Sequence, residues 1–298
     1  MKKSSNQKKA YLFALIAVAF WSTMSSAFKI TLRYMSFDQL LLWSTLTGVI
    51  ALLVINQMSK KPLRFKNITL KDLITSALMG LINPFLYYLI LFKAYELLEA
   101  QIAGTLNYTW PIVLVIMSVI FLKQKISYLS ILAIIISFFG IIIISTHGNL
   151  ISFGTSSIIG ISLAIGSAFF WAYYWIINIK DTREETGKIF LNLSFGFIYI
   201  LAYLLFTSQS IYFPTGYALF GSIYIGLFEM SITFVIWLLA LTNSINTAKV
   251  SNLIYLSPFI ALFFIKFTVG EEIHFSTFIG LIFIVMGILL QQTIKRKN

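Results

Sequence analysis

The chain has 298 residues, 59% hydrophobic and 11% charged, against about 25% charged in soluble globular domains. That balance excludes a soluble enzyme, a disordered chain and an ordinary nucleic-acid binder, and makes lipid the solvent of most of the surface. Cysteine is absent, which excludes a disulfide framework, a thiolate metal site and a cysteine nucleophile, and the net charge of +12 must be explained by its distribution.

A helix needs about 20 residues to cross the hydrocarbon core. Apolar runs separated by charges, Gly, Pro and Asn/Ser clusters predict ten helices, at 11–32, 38–57, 71–93, 100–122, 127–146, 157–179, 187–207, 217–241, 247–268 and 275–294. The runs are too long, and too apolar on every side, for barrel strands. The predicted class is all-α integral membrane, multi-pass.

The first predicted helix follows Lys2, Lys3, Lys8 and Lys9, and Ser25-Ser26-Ala27 loosely fits a signal-peptidase site. Apolar and small residues continue beyond it, so the helix is read as retained. It carries Trp21 and a polar stripe of Ser22, Ser25, Ser26 and Lys29. Lys29 is suited to a substrate carboxylate, to Glu96 or Glu99, or simply to snorkelling toward headgroups. On the third helix Ser76, Gly80, Asn83 and Tyr87 share a face. The fourth carries Asn107, Tyr108, Trp110 and Pro111, and the sixth Trp171 and Tyr174. The eighth holds Ser222, Gly226, Glu229 and Thr233 on one face, with Trp237 beyond, and the ninth holds Tyr255 and Pro258.

Glu229 is the sharpest of these signals. A central acidic residue costs about 2.5–3.5 kcal/mol on insertion scales and generally faces a cavity or a partner. It can couple protons or meet a substrate ammonium; the structural alternative is a protonated acid hydrogen-bonded to a neighbouring helix. Pro111 and Pro258 free the carbonyls of Asn107 and Ile254, as a hinge, a cavity acceptor or an ordinary kink. The aromatics either line a cavity or serve as interface anchors and packing. Ten glycines, among them Gly80, Gly140, Gly166, Gly196, Gly226 and Gly280, suit close helix contacts.

Orientation follows from the cations. With the N-terminus in the cytoplasm, 18 of the 22 Lys and Arg fall on the cytoplasmic side, and Lys29, Arg33, Lys93 and Lys266 on the other. The positive-inside rule therefore places both termini in the cytoplasm, and the basic loop at 60–71 is topological, with modest attraction to anionic lipid.

The chain also repeats. The Asn83 face returns as the Glu229 face, Tyr108-Thr109-Trp110-Pro111 as Tyr255-Leu256-Ser257-Pro258, and Phe20-Trp21 as Phe170-Trp171, at shifts of 146, 147 and 150 residues. Two five-helix halves, 1–150 and 151–298, are expected to be inverted, with a site near the midplane between them.

At these residues the sequence resembles the EamA branch of the drug/metabolite transporter superfamily. Phe20-Trp21-Ser22-Thr23, the paired Pro111 and Pro258, and Gly270-Glu271 match its pattern, and the likeness covers almost the whole chain. Lys123-Gln124 departs from the Gly-Glu usual in the first half. The resemblance implies a ten-helix carrier that opens to either side, with a central cavity lined by helices 1, 3, 4, 6, 8 and 9 and Glu271 as an outer gate contact. The Trp21-Ser22-Thr23-Met24 run also resembles bacterial aromatic amino-acid exporters, but is too short to name a substrate.

The leading expectation is a secondary carrier for a small metabolite, an amino acid or related zwitterion, exported across a bacterial cytoplasmic membrane, with H+ as a coupling ion through Glu229. No catalytic residue, metal ligand or cofactor is expected. The expected partners are substrate and membrane lipid, with no nucleic acid, and the chain as a monomer or weak dimer. One alternative is an integral-membrane enzyme acting on lipid-like substrates, disfavoured because His147 and His274 are the only histidines and sit in no catalytic motif. A nucleotide-sugar or phosphate-ester carrier would want several central cations, and a non-transporting scaffold would not need the polar stripes.

Overall fold

The computed structural model describes residues 6–58, 68–122, 127–148, 157–245, 250 and 252–295, which are helical and contain no strand. Six stretches are long and apolar enough to cross a membrane: Gln7–Thr31, Phe37–Met58, Leu70–Leu97, Ile158–Asn178, Thr186–Phe206 and Gly216–Asn243. Shorter apolar helices lie at Ile131–Ile144, Leu253–Val269 and Phe275–Leu290. The Lys123-Gln124 pair, and most of the basic loop predicted at 60–71, fall outside the described residues.

The continuous helices form where apolar runs lack interruptions. These are α1 (Gln7–Thr31), α2 (Phe37–Met58), α7 (Tyr128–Ser145), α8 (Ile158–Lys180), α9 (Glu185–Phe206) and α13 (Phe275–Lys295). The other predicted spans are interrupted. The third is α3 (Leu70–Gly80), a π-helical turn at Leu81–Leu86 and α4 (Tyr87–Leu97). Asn83 there has φ −144° and ψ 117°. The cause is Pro84, whose ring pushes the preceding residue out of the helical region and which brings no N–H of its own.

The eighth span is α10 (Gly216–Phe228) and α11 (Ile232–Asn243), parted at Glu229, Met230 and Ser231. No proline stands here. Ser231, at φ −137° and ψ −80°, turns its hydroxyl back to the carbonyls of Gly226 at 2.8 Å and Leu227 at 3.0 Å. Those are among the acceptors an interrupted helix leaves open. The fourth span is α5 (Ala100–Asn107) and α6 (Trp110–Leu122). The ninth is a 3-10 turn at Asn252–Leu256, α12 (Ser257–Phe264) and a π-helical turn at Ile265–Val269. Pro111 and Pro258 each sit second in the resumed helix, α6 and α12. A missing N–H breaks no bond within the resumed helix there, because the first turn has no acceptor of its own.

The helix α1 packs against α10, α11 and α12; α2 against α9 and α10; α8 against α4 and α6; and α7 pairs with α13. The core runs through Phe28, Tyr88, Leu91, Phe92 and Leu106. Large apolar side chains such as Ile50, Leu78, Phe138, Phe220 and Phe263 point outward, as a lipid-facing surface requires. Two close crossings depend on glycine. A Cβ at Gly196 of α9 would lie 2.3 Å from Pro84 Cγ, and one at Gly140 of α7 would lie 2.5 Å from the Gly280 carbonyl of α13. Gly166 makes no such contact: a Cβ there meets nothing within 4 Å.

Candidate functional site

The interrupted helices enclose a cavity of about 360 Å³. Its walls come from the first, third, fourth, sixth, eighth and ninth apolar stretches of the sequence, with no contribution from α2, α7, α9 or α13. Of the residues singled out by sequence, Trp21, Ser25, Tyr87, Asn107, Tyr108, Trp110, Trp171, Glu229, Trp237, Tyr255 and Pro258 line it. Ser22, Lys29, Asn83, Pro111, Tyr174 and Thr233 are not among its lining residues.

Glu229 lies at the α10–α11 break, and the break lets its side chain leave the helical face. The carboxylate is buried and accepts from Tyr88 Oη at 2.9 Å. Tyr88 was not singled out by sequence, and it stands beside Tyr87 because the helix restarts there after Pro84. Tyr87 Oη donates to Asn107 Oδ1 at 3.3 Å, and Asn107 Nδ2 donates to Ser167 Oγ at 2.9 Å. Helices α4, α5 and α8 are thereby joined by a polar string at the cavity wall. Ser25 Oγ and Tyr95 Oη share a hydrogen bond of 2.7 Å. Ser22 Oγ donates to the Val18 carbonyl at 2.6 Å and to Ser257 Oγ at 3.3 Å.

Lys29 is a structural cation here. Its ammonium donates to the Tyr95 carbonyl at 2.9 Å and to the Leu98 carbonyl. They stand in the last turn and at the C-cap of α4, the electronegative end of a helix. Thr233 is fully buried and its hydroxyl has no partner among the described residues. Tyr174 stacks on Trp171, ring centroids 6.0 Å apart.

The wall is aromatic. Trp237 meets Trp21 at 5.5 Å between centroids, Trp21 meets Phe234 at 5.8 Å, and Phe234 meets Trp171 at 6.0 Å. Trp171 continues to Tyr87 at 4.9 Å and to Trp175 at 6.0 Å. The sequence reading missed Trp175 and Phe234 as lining residues. Trp175 was findable, one helical turn beyond Trp171 on the same face. Phe234 carried no distinguishing signal, since phenylalanine occurs 28 times in the chain.

A polar seam runs beside the cavity at Ala100 and Gln101 of its lining. Gly270 takes a left-handed conformation at φ 82°, which ends the preceding helix and suits glycine. Glu271 then reaches across to accept from the backbone N–H groups of Ala100 at 2.7 Å and Gln101 at 3.2 Å, at the start of α5. Gln101 Nε2 donates to the Glu272 carbonyl at 2.8 Å, and its Oε1 accepts from the His274 N–H at 2.9 Å. The pair Gly270-Glu271 therefore has a physical reading as a turn followed by a cap on another helix. Among the described residues no group of three or more His, Cys, Asp or Glu is placed to hold a metal ion.

The comparisons agree in kind. The model of the EamA-like transporter family matches residues 8–146 and 158–291. An uncharacterized transporter of Clostridium kluyveri is 27% identical, over 97% of this chain and 95% of its own. The uncharacterized transporter YvbV of Bacillus subtilis is 25% identical, over 98% of this chain and 94% of its own. A protein of known crystal structure shares the fold at a TM-score of 0.65, with 17% identity and coverage of 98% of this chain and 99% of that one. With a family match spanning nearly all of its apolar stretches, the chain belongs to the EamA-like transporter family, whose members are multi-pass membrane proteins.

Proposed function

We propose that the chain is a secondary carrier that moves a small amino-bearing metabolite, an amino acid or related zwitterion in its broadest form, outward across a bacterial cytoplasmic membrane. Ten helices in two inverted halves, 1–150 and 151–298, with both termini in the cytoplasm, would rock about the central cavity, and Glu229 would bind and release the coupling proton. The observation that carries this reading is Glu229 itself: a buried carboxylate on the wall of a cavity, at the interruption of a helix. Interrupted helices with a site between repeats are a mark of alternating-access carriers.

Three further features support it. Asn83 and Glu229, which repeat at a shift of 146 positions, both lie at helix breaks. The two stretches matched by the family, 8–146 and 158–291, are similar in length. Pro111 and Pro258 both open resumed helices beside the cavity and suit hinge positions. In this scheme Trp21, Tyr87, Trp171 and Trp237 contact the transported molecule, and Asn107 and Tyr108 hold the wall in register.

Proteoliposomes test the proposal. Flux of labelled amino acids and amines is measured with and without a pH gradient, for wild type and Glu229→Gln. Flux driven by the gradient and lost in the variant is the expected result. Flux indifferent to both would overturn the coupling and leave a facilitator.

A further inference from the structure

The cavity presents charge of one sign only. Glu229 contributes a carboxylate, and among the described residues no Lys, Arg or His lines the space. Lys29, the cation that sequence depth offered to a substrate carboxylate, instead donates to the Tyr95 and Leu98 carbonyls and lies outside the lining. A substrate carboxylate would enter beside Glu229 without a counter-charge, in a largely apolar site, where an unpaired charge is costly.

The surroundings favour the opposite sign. Trp21, Tyr87, Trp171, Trp175, Phe234 and Trp237 stand around the cavity, joined ring to ring at 4.9–6.0 Å between centroids. The face of an aromatic ring carries the negative part of its quadrupole and attracts a cation. The same rings stack edge to face or offset on an aryl group. Trp175 adds a buried indole N–H without a partner among the described residues, a neutral donor that does not balance a carboxylate. The volume of about 360 Å³ lies near the low end for ligand pockets, roughly 300–1,000 Å³. That suits a single small aryl group with a short chain.

We infer that the molecule this cavity takes is an arylalkyl amine in its ammonium form, bearing no free carboxylate. The ammonium pairs with Glu229, and the aryl ring lies among the rings of α1, α8 and α11. This rests on the carrier reading for its role in transport, and replaces the zwitterion of that reading with an amine that has no carboxylate.

Equilibrium dialysis of the purified full chain in detergent tests it, with radiolabelled tryptamine, tryptophan and indole as probes. Tryptamine should bind at least about tenfold tighter than tryptophan, which adds a carboxylate, and than indole, which lacks the ammonium. Glu229→Gln and Trp171→Ala should each weaken tryptamine by about tenfold, while Trp171→Phe, which keeps a ring, retains most of the affinity. Only variants that elute as monodisperse protein count, and Trp171→Phe guards against a truncation that fails to fold. Tryptophan binding as tightly as tryptamine, indole binding as tightly as tryptamine, or no binding of tryptamine would each overturn the inference. A chain that binds tryptamine but moves no solute would sink the carrier reading and leave the site. A chain that moves amino acids and does not prefer tryptamine would do the reverse.

Discussion

Tyr108 Oη donates to the carbonyl of Ile254, the acceptor that Pro258 leaves without its helical donor. The bond ties the break between α5 and α6 to the 3-10 turn before α12, so each interrupted stretch helps to satisfy the other. Removing the hydroxyl in Tyr108→Phe leaves that part-buried carbonyl without this donor and should cost about 0.5–1.5 kcal/mol. Pro258→Ala would restore an N–H to the same carbonyl. The Tyr108→Phe penalty should therefore shrink in a Pro258→Ala background, and thermal unfolding of the four proteins in one detergent measures it. Equal penalties in both backgrounds would show that the bond does not answer the proline.

Glu271 acts as a cap for a helix other than its own. Glu271→Ala should lower stability by about 1 kcal/mol, the usual loss of an N-terminal cap, and Glu271→Gln, which keeps an acceptor oxygen, should lose less. Gly270→Ala forces a side chain into a left-handed conformation and should also destabilise, by about 1 kcal/mol. Thermal midpoints rank the three variants. No loss in Glu271→Ala would mean that the cap contributes nothing to the stability of α5.

A second polar cluster lies between α8 and α9, outside the helical spans. Arg183 Nη2 meets Asp181 Oδ2 at 2.7 Å, and its Nη1 donates to the Asp72 carbonyl at 3.0 Å and to Ser76 Oγ at 2.8 Å, clasping α3. Burial raises the Asp181 pKa, but the hydrogen bonds and charge of Arg183 outweigh it and hold it below the usual aspartate value. A folded-state pKa below the unfolded one contributes stability above the unfolded value, about 4, which is lost as pH falls through the folded one. Wild type should thus exceed Asp181→Asn in thermal midpoint at pH 5–7, with the gap closing below about pH 4. A gap independent of pH would contradict this.

The helices were legible because long apolar runs bounded by polar punctuation leave few alternatives in lipid. The breaks were less so. Pro84 is an ordinary helix breaker, yet it sits within a run whose apolar character carries on through it, and composition masks it. The break at Glu229 has no proline, and depends on Ser231 finding the Gly226 and Leu227 carbonyls, which is settled by packing. The cavity was legible as a set of faces: the polar face with Glu229, and the repeat-related Trp21 and Trp171. The partners were not. Tyr88 reaches Glu229 from 141 positions away, and periodicity within one helix says nothing about which neighbour it meets.

The Pro84–Gly196 contact tests the packing of α9. A methyl at position 196 has no room against the proline ring. Gly196→Ala should cost about 1–3 kcal/mol, as overpacking does. Gly166→Ala, where nothing lies within 4 Å, should be neutral or slightly stabilising through helix propensity. Thermal unfolding of the pair, measured together, separates crowding from a general intolerance of substitution.

Lys29 decides between a structural and a ligand-binding cation on the first helix. Its ammonium serves two carbonyls at the end of α4, so Lys29→Met should destabilise the chain by about 1.5–3 kcal/mol, the usual worth of hydrogen bonds to a charged group. Lys29→Gln, which keeps an N–H donor without the charge, should recover part of that. Since the side chain does not line the cavity, tryptamine affinity should be the same in both variants as in wild type. A selective loss of tryptophan affinity in Lys29→Gln would mean that the ammonium leaves the carbonyls of Tyr95 and Leu98 to meet a carboxylate, and the cavity would then accommodate a zwitterion after all.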